Sequence, residues 1–344
     1  MLDCSPYKPG TLLFRPPQTT AQEPVRLAYL EARSGTPPQL VEPSQPSRVA
    51  HLAIWNHAVF DAAAECWEHG LDLVYSRGAR IAAIMASVAH VPPSHTRNRA
   101  ALYRRQRDPA WALACVREVV RAKIANQLAL LRLYHDRPHQ AWEDRQPHPV
   151  VWGDRYVKTL GHLRTALKQI DRVKGLAGLR GLEGYAARHY FSCWPMLTGH
   201  AVFLRTPRRP SDPINLLLDV CYARLAHRCC LHLLDHDLDV AAGMLHVDDT
   251  RPSLALDLME PLRPLIVDRF VLRLLRRTPS DWIIPQGALY TLSTAGWRGL
   301  RQRWLAWLLG SASRPGHDDS IAEAIGQFLR SLHEATPIEW PRLR

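Results

Sequence analysis

Two acids three positions apart, Asp257 and Glu260, interrupt an otherwise apolar run in LHVDDTRPSLALDLMEPLRP (Leu245–Pro264). On a helix that spacing puts both carboxylates on one face. Carboxylates held so close leave one of them protonated unless a cation neutralises the pair. His246 lies eleven positions before Asp257, ahead of the helix, where it can close a site from the side. A fourth residue of the same chemistry is Glu183, an acid between Leu182 and Gly184 in LRGLEGYAARHYF. Two or three carboxylate oxygens plus one imidazole make a hard, mostly oxygen site suited to Mg²⁺ or Mn²⁺. Such an ion polarises a phosphodiester and activates a water or a 3′ hydroxyl. Spacing alone leaves the plainer readings open: Asp257 or Glu260 paired with Arg263 along the helix, Glu183 bridged to Arg180, and His246 as a satisfied core histidine.

Charge narrows the partner. The 344 residues carry 44 Lys and Arg against 32 Asp and Glu, a formal net charge of +12 with a pI near 9.7. That excess favours an anionic partner, nucleic acid first and a membrane surface second. Only five of the basic residues are lysine (Lys8, Lys123, Lys158, Lys168, Lys174). Arginine dominance suits bidentate phosphate contacts, although a GC-rich coding bias produces the same skew. Apolar content of 47% and charged content of 22% are those of a folded chain. No uncharged apolar run approaches the roughly 18 to 20 residues of a membrane span, and MLDCSPYKPG lacks the pattern of a secretion signal. A cytoplasmic protein is the expectation. The seven cysteines are scattered without a CxxC pair, so neither a zinc ribbon nor a disulfide framework is indicated.

The elements that must position these residues fall into two parts. Up to about residue 92 the chain is proline-rich, with extended segments at TLLFR (11–15), VRLAYLE (25–31), QLVE (39–42), RVAHLAIW (48–55), LDLVYS (71–76) and GARIAAIMA (78–86). AVFDAAAECWEHG reads as a short helix ending at Gly70. Pro92–Pro93 marks a boundary, after which helical periodicity dominates. Asp108–His135 opens on an Asp-Pro cap signal. Further helical blocks span 154–174, 181–197, 212–235, 253–277, 294–309 and 318–332. PRRPSDP (207–213) is a basic, proline-bounded loop. The expected fold class is α+β: a β-rich domain over 1–92, then a larger all-α domain over 93–344 that carries the chemistry.

SLALDLMEPLRP after MLH, with LRGLEGYAARHYF, RRPSDPINLLLDVCYARL, DPAWALACVREVVRAKIANQLALL and GALYTLSTAGWRGL, resembles the CRISPR-associated integrase family, the Cas-one proteins that insert spacers into CRISPR arrays. The resemblance runs in consistent order over most of the chain from about residue 48, more weakly across the strand region. It implies an N-terminal β domain that carries a dimer contact and a helical catalytic domain. It also implies a metal site in which Glu183, His246 and Glu260 are ligands to Mg²⁺ or Mn²⁺, with Asp257 a further ligand or an acid behind them. Arg208, Arg209 and Arg263 are similar to the family's phosphate-contacting residues. Tyr222 matches a tyrosine near its active site, where packing is an equally open role. The proline-rich N-terminal stretches (RPPQ, TPPQLVEPSQPS) depart from the family's compact β-sandwich.

The function so implied is a DNA integrase and endonuclease, in which a prespacer 3′ hydroxyl attacks the repeat phosphodiester. Its partners would be duplex DNA (prespacer, and CRISPR leader and repeat), the small Cas-two protein, and a second copy of this chain. No membrane is involved. Two rivals remain: a transposon-type integrase of the same fold, and a non-catalytic basic DNA-binding scaffold whose acids only make ion pairs.

Overall fold

The computed structural model describes six N-terminal strands as backbone, together with residues 94–136, 153–199, 203–247, 251–311, 314–334 and 338–343. The strands are β1 (Gly10–Phe14), β2 (Ala28–Ala32), β3 (Gln39–Val41), β4 (Ala50–Leu52), β5 (Leu73–Arg77) and β6 (Arg80–Met85). β1, β2 and β3 form one antiparallel sheet in that order. β5 is central in another, parallel to β4 and antiparallel to β6. Each of the six expected extended segments overlaps one of these strands. The short helix expected to end at Gly70 lies outside the described residues.

From residue 94 the described chain is mostly helical. The helices are α1 (Ser94–Gln106), α2 (Pro109–Asp136), α3 (Asp154–Gln169), α4 (Leu176–Ser192), α5 (Trp194–Thr198), α6 (Pro213–Asp235), α7 (Ser253–Met259), α8 (Arg269–Leu275), α9 (Thr294–Leu309) and α10 (Asp318–Glu334). A hairpin of β7 (Ile283–Gln286) and β8 (Leu289–Leu292) sits between α8 and α9. Compactness divides the chain into two units. One comprises Met1–Leu102 with Ala226–Val240, the other Tyr103–Leu225 with Ala241–Arg344. The second holds every candidate site residue named above. No described helix is long and apolar enough to cross a membrane.

The second unit is organised around α2. Asp108 starts this helix, its Oδ1 accepting from the amides of Ala110 (3.0 Å) and Trp111 (3.2 Å), with Pro109 behind it where no amide is needed. Its apolar residues recur every three or four positions, and Val116, Val119, Val120, Ile124, Leu130 and Leu131 are fully buried. α3, α4 and α7 pack against it. The expected block 253–277 is not one helix. Pro264 offers no amide and would crowd the carbonyl of Glu260, so α7 ends at Met259 and the backbone widens into a π-helical turn over Arg263–Asp268 before α8.

Near the C-terminal side, Ser293 caps α9 by accepting from the Gly296 amide at 3.0 Å. Trp282 lies so close to Gly299 that an added Cβ would stand 1.9 Å from the indole. The glycines of STAGWRGL are therefore packing residues.

Candidate functional site

Asp257, on α7, is wholly buried and meets four donors. Its Oδ2 accepts from the amides of Met244 (2.6 Å) and Leu245 (2.8 Å), and its Oδ1 from the His246 amide (2.8 Å). His246 Nδ1 lies 2.7 Å from the same Oδ1. A carboxylate only accepts, so Nδ1 carries a hydrogen here, and in the neutral ring the lone pair is left on Nε2. That Nε2 faces Glu260, 3.9 Å from Oε1. The loop bearing His246 is fixed from outside by Arg180, whose Nε donates to the Leu245 carbonyl at 2.7 Å. At Gly243 a Cβ would come within 2.6 Å of both the His246 carbonyl and Ser253, so the loop closes on α7 only with glycine there.

The second half of the cluster is built on α2. Lys123, 5% exposed, donates to Glu183 Oε1 on α4 and to Glu260 Oε2 at 2.5 Å. Burial alone would lower this ammonium, but the charges of Glu183 and Glu260 outweigh it and hold Lys123 above the usual lysine value. Burial would likewise raise Glu260, yet Arg263 and Lys123 bring it below the ordinary carboxylate range. Arg263 pairs with Glu260 Oε1 at 3.1 Å. Three positions along α2 from Lys123, Asn126 donates to the carbonyls of Pro261 (2.8 Å) and Pro341 (3.0 Å), holding the turn just after Glu260.

The π turn aims two further side chains. The guanidinium of Arg263 lies over the ring of Tyr222, 4.9 Å from its centroid, and Arg205 lies 5.5 Å from the same centroid. The Tyr222 hydroxyl donates to Asp268 Oδ1 at 2.5 Å, and the Tyr190 hydroxyl to Oδ2 at 2.8 Å. Burial pushes Asp268 up to about 6 from 3.8, against the pull of those hydroxyls and of the charges on Lys123 and Arg263. Arg205 in turn pairs with Asp219 at 2.5 Å, and the other oxygen of Asp219 accepts from the Arg208 amide at 2.8 Å. Arg208 takes a left-handed conformation (φ 64°), and both Arg208 and Arg209 are exposed. A continuous strip of contacts thus leads from Glu260 through Arg263, Tyr222, Arg205 and Asp219 to the basic loop.

Glu183, His246, Asp257 and Glu260, scattered over 78 positions of sequence, therefore meet in one cluster, with Arg263 and Tyr222 beside it. The plain Glu260–Arg263 pair exists as well, while the ion-pair partner of Glu183 is Lys123 and Arg180 serves the loop. Arg208 and Arg209 stand at the far end of the strip. Sequence reasoning passed over Lys123, Asp268, Tyr190 and Arg205. For Lys123 a signal was present: it falls on the apolar stripe of α2, between Val119–Val120 and Leu130, where only a paired cation survives.

The donors fit a hard divalent ion. Two carboxylates already converge on one cation, and an oriented imidazole presents its free nitrogen to one of them. Lys123 occupies the meeting point of these oxygens. Among the described residues, no three His, Cys, Asp or Glu side chains stand close enough to hold an ion as they are placed.

A mostly helical chain with this buried acid–histidine cluster and a basic strip has clear relatives. Residues 42–304 match the family described as CRISPR associated protein Cas1, and the chain belongs to that family. It is 33% identical over 232 residues to a CRISPR-associated endonuclease Cas1 of Thermus thermophilus, and 34% identical over 221 residues to one of Rhodospirillum rubrum. These matches take in 66% and 62% of this chain, but only 63% and 60% of the relatives' lengths. Among solved structures, the fold is similar to that of a casposase bound to integration product (TM-score 0.65, 19% identity, 94% of this chain and 92% of that one). It is also similar to a Cas6-RT-Cas1–Cas2 complex (TM-score 0.69, 18% identity, 94% of this chain and 35% of that one).

Proposed function

We propose that this chain is a metal-dependent DNA integrase and endonuclease of CRISPR spacer acquisition, with Glu183, Glu260 and His246 as ligands of Mg²⁺ or Mn²⁺. The observation that carries this reading is the convergence of Glu183 and Glu260 on one cation beside an imidazole that Asp257 holds in a single orientation. Asp257 acts through His246: its oxygens are occupied by three amides and the ring, so it positions rather than ligates. A divalent ion bound there supplies charge withdrawal from a phosphodiester oxygen and makes a hydroxyl nucleophile easier to deprotonate.

The chain's own residues do the rest. Net positive charge draws duplex DNA in, and Arg208 and Arg209 contact phosphates without reading bases. Arg263, held by Glu260 and Tyr222, places a fixed positive charge beside the reacting phosphate. The prespacer 3′ oxygen forms a bond to the repeat phosphorus as the bond from phosphorus to the repeat's own 3′ oxygen breaks. The proton goes from the attacking to the departing oxygen by way of solvent. One phosphodiester replaces another, so no nucleotide cofactor is consumed. With water as the attacking group, the same site hydrolyses the strand.

The partners in this reading are prespacer and leader–repeat DNA, the small Cas-two protein and a second copy of this chain, with residues 1–92 forming a β-rich dimerisation domain. The setting is the cytoplasm. A supercoiled plasmid bearing a repeat, incubated with labelled duplex ends and Mg²⁺ or Mn²⁺, tests the chemistry. Joined or nicked product should form and disappear with chelator. His246→Ala and Glu183→Ala should each lower its rate about 100-fold or more while leaving DNA affinity largely intact. If these variants keep full activity, the ligand assignment fails. If the wild type binds DNA but never cuts or joins it, the protein is a scaffold.

A further inference from the structure

We infer that Lys123 is a resident counter-ion which competes with the divalent ion for the same two oxygens, so that metal uptake is a cation exchange freeing the ammonium for a DNA phosphate. The inference rests on the ligand set proposed above and adds to it how the site is regulated. Glu260 has two oxygens, and Arg263 holds Oε1. The other, Oε2, is on Lys123, which also holds Glu183 Oε1. An ion that bridges the two acids through these facing oxygens, Glu183 Oε1 and Glu260 Oε2, takes them from this ammonium. A divalent ion about 2.1 Å from those oxygens would stand against a like charge at close range in a buried place, and both cannot stay.

The lysine head has room to leave because it sits on a flexible four-carbon stem, unlike a guanidinium whose planar fork fixes its partners together. The carboxylates need it in the meantime. Glu183 and Glu260 come from helices 77 positions apart in sequence and are brought together at a buried point, where unneutralised acids repel. Displaced toward the open side, marked by the 22% exposed Glu183 and 38% exposed His246 side chains, the ammonium meets the region where a phosphate would lie. DNA then takes up the charge that the ion expels. Metal and DNA each favour the other's binding, a coupling that is reciprocal by thermodynamic necessity.

Mn²⁺ titration of chelator-treated protein, with and without duplex DNA, tests this in the wild type, Lys123→Met, Lys123→Gln and Lys123→Arg. In the wild type, DNA should tighten Mn²⁺ binding. Lys123→Met and Lys123→Gln should bind Mn²⁺ about tenfold or more tightly without DNA, and DNA should add little further. Lys123→Arg, which keeps the charge, should bind Mn²⁺ no more tightly than wild type. Thermal melting gives a second reading: the neutral variants should melt below wild type in chelator and gain more from Mn²⁺ than wild type does, whereas a lost packing contact alone would leave the gain equal. Neutral variants with wild-type or weaker Mn²⁺ affinity overturn the exchange while leaving the ligand assignment standing. A wild type that takes up no Mn²⁺ at all defeats the ligand assignment, and the exchange with it.

Discussion

Asp257 and Asp268 are both buried aspartates eleven residues apart, and each holds ring side chains, but by different means. Asp257 meets three backbone amides and the His246 ring, donors built into the loop it closes. Asp268 meets two phenols, Tyr190 and Tyr222, and burial raises it to about 6. Backbone amides cannot turn away, whereas a hydroxyl can rotate and both donates and accepts. The first arrangement fixes a carboxylate that orients a histidine. The second is a softer acid whose partner ring carries Arg263 and Arg205 toward the exposed loop.

The largest effect of breaking this pair of designs should come from Asp257→Ala. It strands three amide donors in the interior and frees the imidazole, and should cost about 3 to 5 kcal/mol in stability. Guanidinium unfolding checks this, and a cost under about 1 kcal/mol would show that the loop is not held by the acid. Asp268→Asn should be milder and pH-dependent. With a folded value near 6 against 3.8 unfolded, the native protein holds a proton between those limits that the unfolded chain has shed. Stability from this group is complete below about pH 4, declines as pH rises toward 6, and stays low above that. The neutral amide of the Asp268→Asn variant can still accept from one phenol and donate to the other. It should remove that slope and stabilise at pH 7 by up to about 2 kcal/mol. Unfolding midpoints for both proteins across pH 4 to 8 should converge at the acid end; parallel curves would refute the linkage.

The smallest structural effect lies at the end of the strip. Arg208→Glu with Arg209→Glu should leave the melting temperature nearly unchanged, since both side chains are exposed. It should weaken binding to all DNA sequences alike and flatten the salt dependence by roughly 0.9 per lost phosphate contact. An unchanged salt slope would remove the loop from the DNA interface.

The helices were largely legible in the sequence because their signals are local. Asp108–Pro109 and Asp212–Pro213 mark starts, and the expected 294–309 coincides with α9. Where expectation failed, the cause is also physical. Three glycines (Gly178, Gly181, Gly184) dilute the helical pattern at the start of α4, so its onset at Leu176 was missed. Periodicity carried 253–277 through as one helix although Pro261 and Pro264 break it. The acids and histidine of the site were visible because they disturb apolar runs. Lys123 disturbs an apolar run as well, but only the tertiary fold brings it to 183 and 260, as it brings Asp268 to 190 and 222.

The most direct test of the shared ion site is the amount of Mn²⁺ bound per chain, measured by equilibrium dialysis on protein stripped with chelator. One ion per wild-type chain is expected, with binding lost or weakened at least tenfold in Glu183→Ala, His246→Ala and Glu260→Ala alike. Equal binding by all four proteins would contradict it.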